Sequence, residues 1–349
     1  MGRWIKGLAA ACVVTALAVG VAACGGDDDE ATGTSPGEVS ELTVYSGRSE
    51  ELVAPVLDRF TEETGISLSV RYGDTAEMAA TILEEGDASP ADVFFGQDAG
   101  ALGALEKEGL FVELSPATLE PVPAAFRSPD GMWVGTSGRA RVIGYDTRVV
   151  DEADLPASVM DLTGEEWKGK VGWVPGNASF QAFITAMRAE HGDEATEQWL
   201  RDMKDNDAQV YERNGVLRDA IANGEVELGL LNHYYIAQAR AEAPDADAYP
   251  VGLYFPPGGD VGSLINVAGG GVLASSDKQA AAEQLMAFLV APEAQEYFVE
   301  ESKEYPVIEG VDAPPNLPAL DSIEQPDVNL ADLDDLRGTL EIIERAGVL

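Results

Sequence analysis

An α/β protein in two lobes is predicted by three observations. Short apolar strands alternate with amphipathic helical stretches from residue 42 onward, and a second block of the same kind begins near residue 170. Two segments, residues 138–145 and 266–275, mix glycine with β-branched residues and suit hinge strands that absorb φ/ψ change. Each lobe is then a mixed sheet flanked by helices, joined by the two hinge strands.

The elements follow in order. Residues 42–45 (LTVY) open the folded part as a strand. Ser49 can cap a helix to about Thr64, with Leu52, Val56, Leu57 and Phe60 on one stripe. A strand at 67–72, a helix through Met78 and Ile82 and a buried strand at 91–95 complete the first block. The second block has a strand at 170–174, a helix at 179–191, a helix around Trp199, and a strand at 226–231 that runs into a helix from His233.

The first residues read as a processing signal. Arg3 and Lys6 precede an apolar run over residues 7–23, which falls short of the roughly 20 residues of a membrane span. The run ends in Val21-Ala22-Ala23-Cys24, which resembles the lipobox of bacterial lipoproteins. Residues 1–23 are thus expected to be a lipoprotein signal, Cys24 the acylated residue, and 24–41 a flexible polar tether. That places the chain outside the cytoplasm, lipid-anchored to the outer face of the cytoplasmic membrane. Cys12 lies in the removed segment, so the folded part has no disulfide and no catalytic thiolate.

The formal net charge of −40 opposes binding to nucleic acid and to anionic lipid, so the membrane link must come from acyl chains. The acidity itself reads as a solubility or salt adaptation spread over all faces. Catalytic signatures are absent. Residues 164–170 (GEEWKGK) approach a phosphate-binding loop, but Val171 stands where Ser or Thr is needed, and residues 269–274 fit a dinucleotide pattern only loosely. His191 and His233 are the two histidines, and no G-x-S-x-G or H-E-x-x-H is present. An enzyme is not expected.

The informative stretch is Leu230-Leu231-Asn232-His233-Tyr234-Tyr235. Neighbours on a helix point about 100° apart, so two adjacent tyrosines reach one point only from the first turn, at a cleft. Two phenolates there suit a hard trivalent cation. Ionising each phenol at pH 7 costs about 4 kcal/mol, which a strongly Lewis-acidic ion can supply. A tyrosine pair packed across a helix start is the other reading of the same residues.

Several blocks resemble, in order, the periplasmic ferric-ion-binding proteins of iron ABC importers, which have the type II periplasmic binding fold. They are LTVYSGRSEELVAPVLDRFTEETGI, SPADVFFGQDAGAL, SGRARVIGYDTR, KVGWVPGNASF, ERNGVLRDAIANGE and LLNHYYIAQA, spread over most of residues 42–310. The resemblance implies a monomer that captures ferric iron with a synergistic phosphate or carbonate between lobes 42–136 plus 264–312 and 137–263 plus 313–349, then docks on a membrane permease. It carries Tyr234 and Tyr235 over as paired ligands. Asn177, Ala178, Ser179, Asn214 and Asn232 match anion-binding positions, and Arg139 and Arg141 match hinge arginines, one of which holds carbonate in some relatives. Asn177–Ser179 at a helix N-terminus suits that role physically.

Three positions depart from the family. Ser49 stands where many relatives have a histidine ligand, Gln97 where others have a glutamate (with Asp98 beside it), and Phe180 near a third tyrosine. Ser49, Phe180 and Tyr45 are cleft candidates rather than ligands. Asp98, water and an anion would complete the iron shell, or the cargo would be a ferric chelate. An organic anion or phosphonate against the tyrosines is the competing cargo, and a secreted hydrolase the remote one.

Overall fold

The computed structural model describes residues 39–349; the expected signal, Cys24 and nearly all of the tether lie outside them. Among the described residues nine strands form: β1 Glu41–Ser46, β2 Ser67–Tyr72, β3 Val93–Gly96, β4 Val134–Asp146, β5 Val171–Trp173, β6 Gln209–Val210, β7 Leu228–Asn232, β8 Val251–Tyr254 and β9 Ile265–Val272. The helices are α1 Glu50–Thr64, α2 Thr75–Glu85, α3 Ala99–Lys107, α4 Pro116–Leu119, α5 Ala178–His191, α6 Asp193–Asp205, α7 Asn214–Asn223, α8 His233–Glu242, α9 Gln279–Leu289, α10 Pro292–Tyr297 and α11 Leu336–Ala346.

The sheet runs β2-β1-β3-β9-β4-β7-β5-β6, with β8 also on β4. Its two halves meet in one strand. Val134–Ala140 of β4 pairs antiparallel with β9, while Arg141–Asp146 pairs with β7 and β8. The first hinge segment expected from the sequence is therefore the strand shared by both halves. The second is displaced. β9 pairs only with β3 and β4, so residues 266–275 lie within the first half, and the chain crosses just before them, where Arg141 N–H donates to Leu264 O at 2.8 Å.

The glycine run of β9 explains its false dinucleotide signature. A Cβ on Gly269 would come 2.5 Å from Val134 O, and one on Gly270 would come 2.7 Å from Phe94 O. These glycines admit neighbouring backbones, not a phosphate. Residues 164–170 form a 3-10 turn leading to β5, and Lys170 pairs with Glu227.

Helices cover both faces. The α1 stripe buries Val53, Val56, Leu57 and Phe60, each contributing about 1.5–3 kcal/mol relative to exposure. Ser49 occupies the α1 N-cap, but its side chain makes no cap bond, so the helix start rests on backbone bonds to Ser49 O. The tail visits both halves: a 3-10 turn at Leu330–Asp332 packs on α3, and α11 packs on α5 and α6.

Candidate functional site

A cleft of about 620 Å³ opens between the two halves. Thr75, Gln97 and Asp98 line it from the first half, Asn177, Ala178 and Ser179 from the second, and Arg139 from the shared strand. Behind it lies a chamber of about 10 Å³, room for a single water-sized species, lined by Arg139, Arg141, Ser179, Asn232 and Asn266.

Local structure explains these placements. β7 ends at Asn232 in extended conformation and α8 begins at once, so Tyr234 and Tyr235 fall in the first turn. Their rings stack with centroids 4.4 Å apart and planes 29° from parallel. Burial raises the Tyr234 phenol above its ordinary value; Tyr235 adds to the rise and Arg139 opposes it. Neither tyrosine lines the open part of the cleft. Both lie close enough to Arg141 to act on its charge.

Arg141 is 2% exposed, with its guanidinium 5.4 Å from the Phe180 ring centroid and 5.2 Å from that of Phe183. Its Nη2 donates to Leu230 O at 2.9 Å, whereas Nε and Nη1 are buried without a partner. Burial lowers it to about 9, a fall that the two tyrosines oppose, so it remains cationic at neutral pH. Arg139 Nε is likewise buried and unpaired. Two guanidinium groups with unfilled donors beside a small chamber form a strong demand for an anion.

One buried carboxylate answers part of that charge. Glu304 accepts from Arg48 Nη2 at 2.8 Å and from Ser137 Oγ at 2.6 Å. Burial alone would raise its pKa, but Arg48 and Arg139 with these hydrogen bonds outweigh it and hold the group below its usual range. No sequence signal marked Arg48 or Glu304, because they lie 256 residues apart.

His233 is not a free base. Its Nδ1 accepts from Ala140 N–H at 3.0 Å, its Nε2 donates to Lys303 O at 2.9 Å, and burial pushes it down to about 4. His191 is exposed.

The remaining candidates divide. Asn177 caps α5, its Oδ1 accepting from Ser179 N–H at 3.0 Å and from Asn214 Nδ2 at 3.2 Å, while Asn214 Oδ1 stays buried and unpaired. Asn232 and Ser179 face the rear chamber. Asp98 caps α3 through Ala101 N–H at 3.1 Å, and Gln97 N–H donates to Thr75 Oγ1 at 3.0 Å, which leaves the Gln97 side chain free to face the cleft. Three candidates are corrected. Tyr45 is a core residue whose hydroxyl donates to Glu85 at 3.2 Å, Phe180 is fully buried beneath Arg141, and Ser49 is exposed at the α1 start; none lines the cleft.

A family model described as bacterial extracellular solute-binding protein matches residues 88–332. The chain is 33% identical over 309 residues to the Fe(3+)-binding periplasmic protein of Serratia marcescens, covering 88% of this chain and 90% of that one. It is 32% identical over 315 residues to the major ferric iron-binding protein of Neisseria meningitidis, covering 89% and 94%. Iron-bound HitA from Pseudomonas aeruginosa matches with a TM-score of 0.80 at 32% identity, over 88% of this chain and 99% of that one. Trichodesmium FutA in complex with iron and citrate matches at 0.77 and 31% identity, over 88% and 99%.

Proposed function

The chain belongs to the bacterial extracellular solute-binding proteins, and on that premise we propose that it captures ferric iron for an ABC importer. The observation that carries the reading is the stacked Tyr234–Tyr235 pair on the first turn of α8, beside two buried arginines with unfilled donors. Phenolate oxygens with a carboxylate from Asp98 make a hard donor set, the kind a trivalent hard cation prefers. The ion itself offsets the roughly 4 kcal/mol cost of ionising each phenol at pH 7.

The first half of the cleft supplies few ligands, so an anion completes the shell. Phosphate or carbonate would sit at the α5 N-terminus, held by Asn177, Ala178, Ser179, Asn214 and Asn232, with Arg139 and Arg141 matching its charge. Gln97 and Asp98 face the same space from the opposite wall. Capture proceeds by rotation of lobe 42–136 plus 264–312 against lobe 137–263 plus 313–349 about the shared strand, with residues 330–334 of the latter reaching back onto α3 of the former. The closed monomer, held at the outer face of the membrane by acyl chains on Cys24, then delivers its cargo to a permease. Its role is binding, not turnover.

Titration of the metal-stripped protein with ferric nitrilotriacetate, with and without phosphate or carbonate, tests this. A saturable coloured tyrosinate complex at one iron per chain is expected, strengthened by the anion. A colourless titration without saturation would turn the tyrosines into cleft walls for an organic anion.

A further inference from the structure

The tail crosses between the halves beside the cleft with almost no slack. On the first half, Leu330–Leu333 sits on α3, where glycines make its seat. A Cβ on Gly100 would come 2.3 Å from Leu333 O, and one on Gly103 the same distance from Ala331 O. One turn further along α3, Lys107 Nζ binds Asp334 Oδ1 at 2.7 Å. The very next residue belongs to the second half. Asp335 Oδ1 caps α11 through Gly338 N–H at 3.0 Å, and its Oδ2 pairs with Arg188 of α5 at 2.9 Å. Arg188 Nη1 also donates to Asp335 O at 3.0 Å and to Thr339 Oγ1 at 2.9 Å. Leu333, Asp334 and Leu336 line the cleft.

A single peptide unit therefore links an anchor on α3 to an anchor on α5. One extended residue spans about 3.3–3.6 Å, so the two helices cannot move much further apart while both anchors hold. The anchors are unequal. α11 buries Thr339, Ile342, Ile343 and Ala346 and is gripped by Arg188. The α3 side buries Leu330, Ala331 and Leu333 in a three-residue turn and its exit rather than in a regular helix, and its ion pair uses a lysine whose side chain is 50% exposed, a weakly held pair. We propose that residues 330–335 are a latch strap that peels from α3 when the cleft opens, so that its seat on Gly100 and Gly103 sets the balance between open and closed forms.

Gly103→Ala tests the strap, because the new Cβ pushes on Ala331 O while alanine favours the helix itself. Amide exchange over 330–335 should speed up by at least ~10-fold, and scattering from the cargo-free protein should show a larger radius of gyration. Asp334→Asn, which leaves the backbone untouched, should move both readouts the same way by less, and stands in if Gly103→Ala does not fold. Amides that stay protected in the variant, or freed amides with an unchanged radius, would overturn the inference. It rests on the ferric reading only for its effect on cargo: iron release to a competing chelator should quicken by roughly 3–10-fold. A parent protein that takes up no ferric iron overturns the functional reading alone, since exchange and scattering need no cargo.

Discussion

In the second half, behind the residues that line the cleft, the chemistry is buried and held in place: Arg141 against Phe180 and Phe183, Asn214 on Asn177, His233 on two backbone groups, and two tyrosines stacked in one helical turn. On the first wall, Gln97 and Asp98 are half-buried at a helix start. The difference indicates a division of labour. Under the proposed function, the second half would arrive preorganised and carry the affinity, and the first half would close over the cargo and leave part of its shell to an anion.

Acidification is the harshest way to probe that asymmetry. Burial raises the Tyr234 phenol above its ordinary value, so it is protonated at neutral pH and, as a ligand in the proposed site, would release its proton to iron. If two phenolates bind the iron, each displacing one proton, affinity should fall on the order of ten-thousand-fold between pH 7.5 and 5.5, at about tenfold per unit and per proton. Equilibrium dialysis against a ferric chelate reads this, and a flat profile would remove both tyrosines. Tyr235→Phe should cost at least ~100-fold in iron affinity with an unchanged circular dichroism spectrum, since even outer partners of metal ligands cost about 10–100-fold.

Arg141→Met sharpens the comparison by opposing binding to stability. It should lower anion-assisted affinity by roughly 10-fold, yet raise the melting temperature of the cargo-free protein, because a buried charge with unfilled donors is exchanged for a side chain of similar volume. A gain of about 1–3 kcal/mol corresponds to several degrees in calorimetry. A lower melting temperature would mean that Arg141 is already compensated. Asp98→Asn keeps the α3 cap and removes only charge, so affinity should drop by no more than about 3–10-fold; a loss as large as that of Tyr235→Phe would erase the asymmetry. Ser49→Ala should change thermal stability by less than the usual ~0.5–2 kcal/mol of an N-cap, because no cap bond is lost.

The second wall was the more legible in the sequence. Adjacent tyrosines after a buried strand can converge only in a first turn, and β4 declared itself as a crossing by mixing glycine with β-branched residues. The unfilled donors of Arg141 were not readable, because they depend on which ring faces α5 turns toward β4. Tyr45, a cleft candidate from the sequence, instead packs inward, its hydroxyl on Glu85. The seat on α3 was invisible too, since glycine in a helix carries no mark of what lies against it, and Lys107 meets Asp334 across 227 residues. Contacts between sequence-distant segments made most of what was missed.

The pair of Arg48 and Glu304 has a consequence for the order in which the chain can fold. β3 finds its neighbour β9 only across registers such as Val93 with Val272, and the charge on Arg48 stays unmatched until residue 304 is available. The second half, by contrast, lies in one continuous run from β4 to β8, apart from the capping α11. As a chain emerges from its N-terminus, β1, β2 and β3 can pair among themselves, but β3 waits for its neighbour β9, whereas β5 and β7 have their partners well before that. Refolding should accordingly show protection growing in β5 and β7 before β3 and β9, and truncation before Glu304 should leave the first half unable to close.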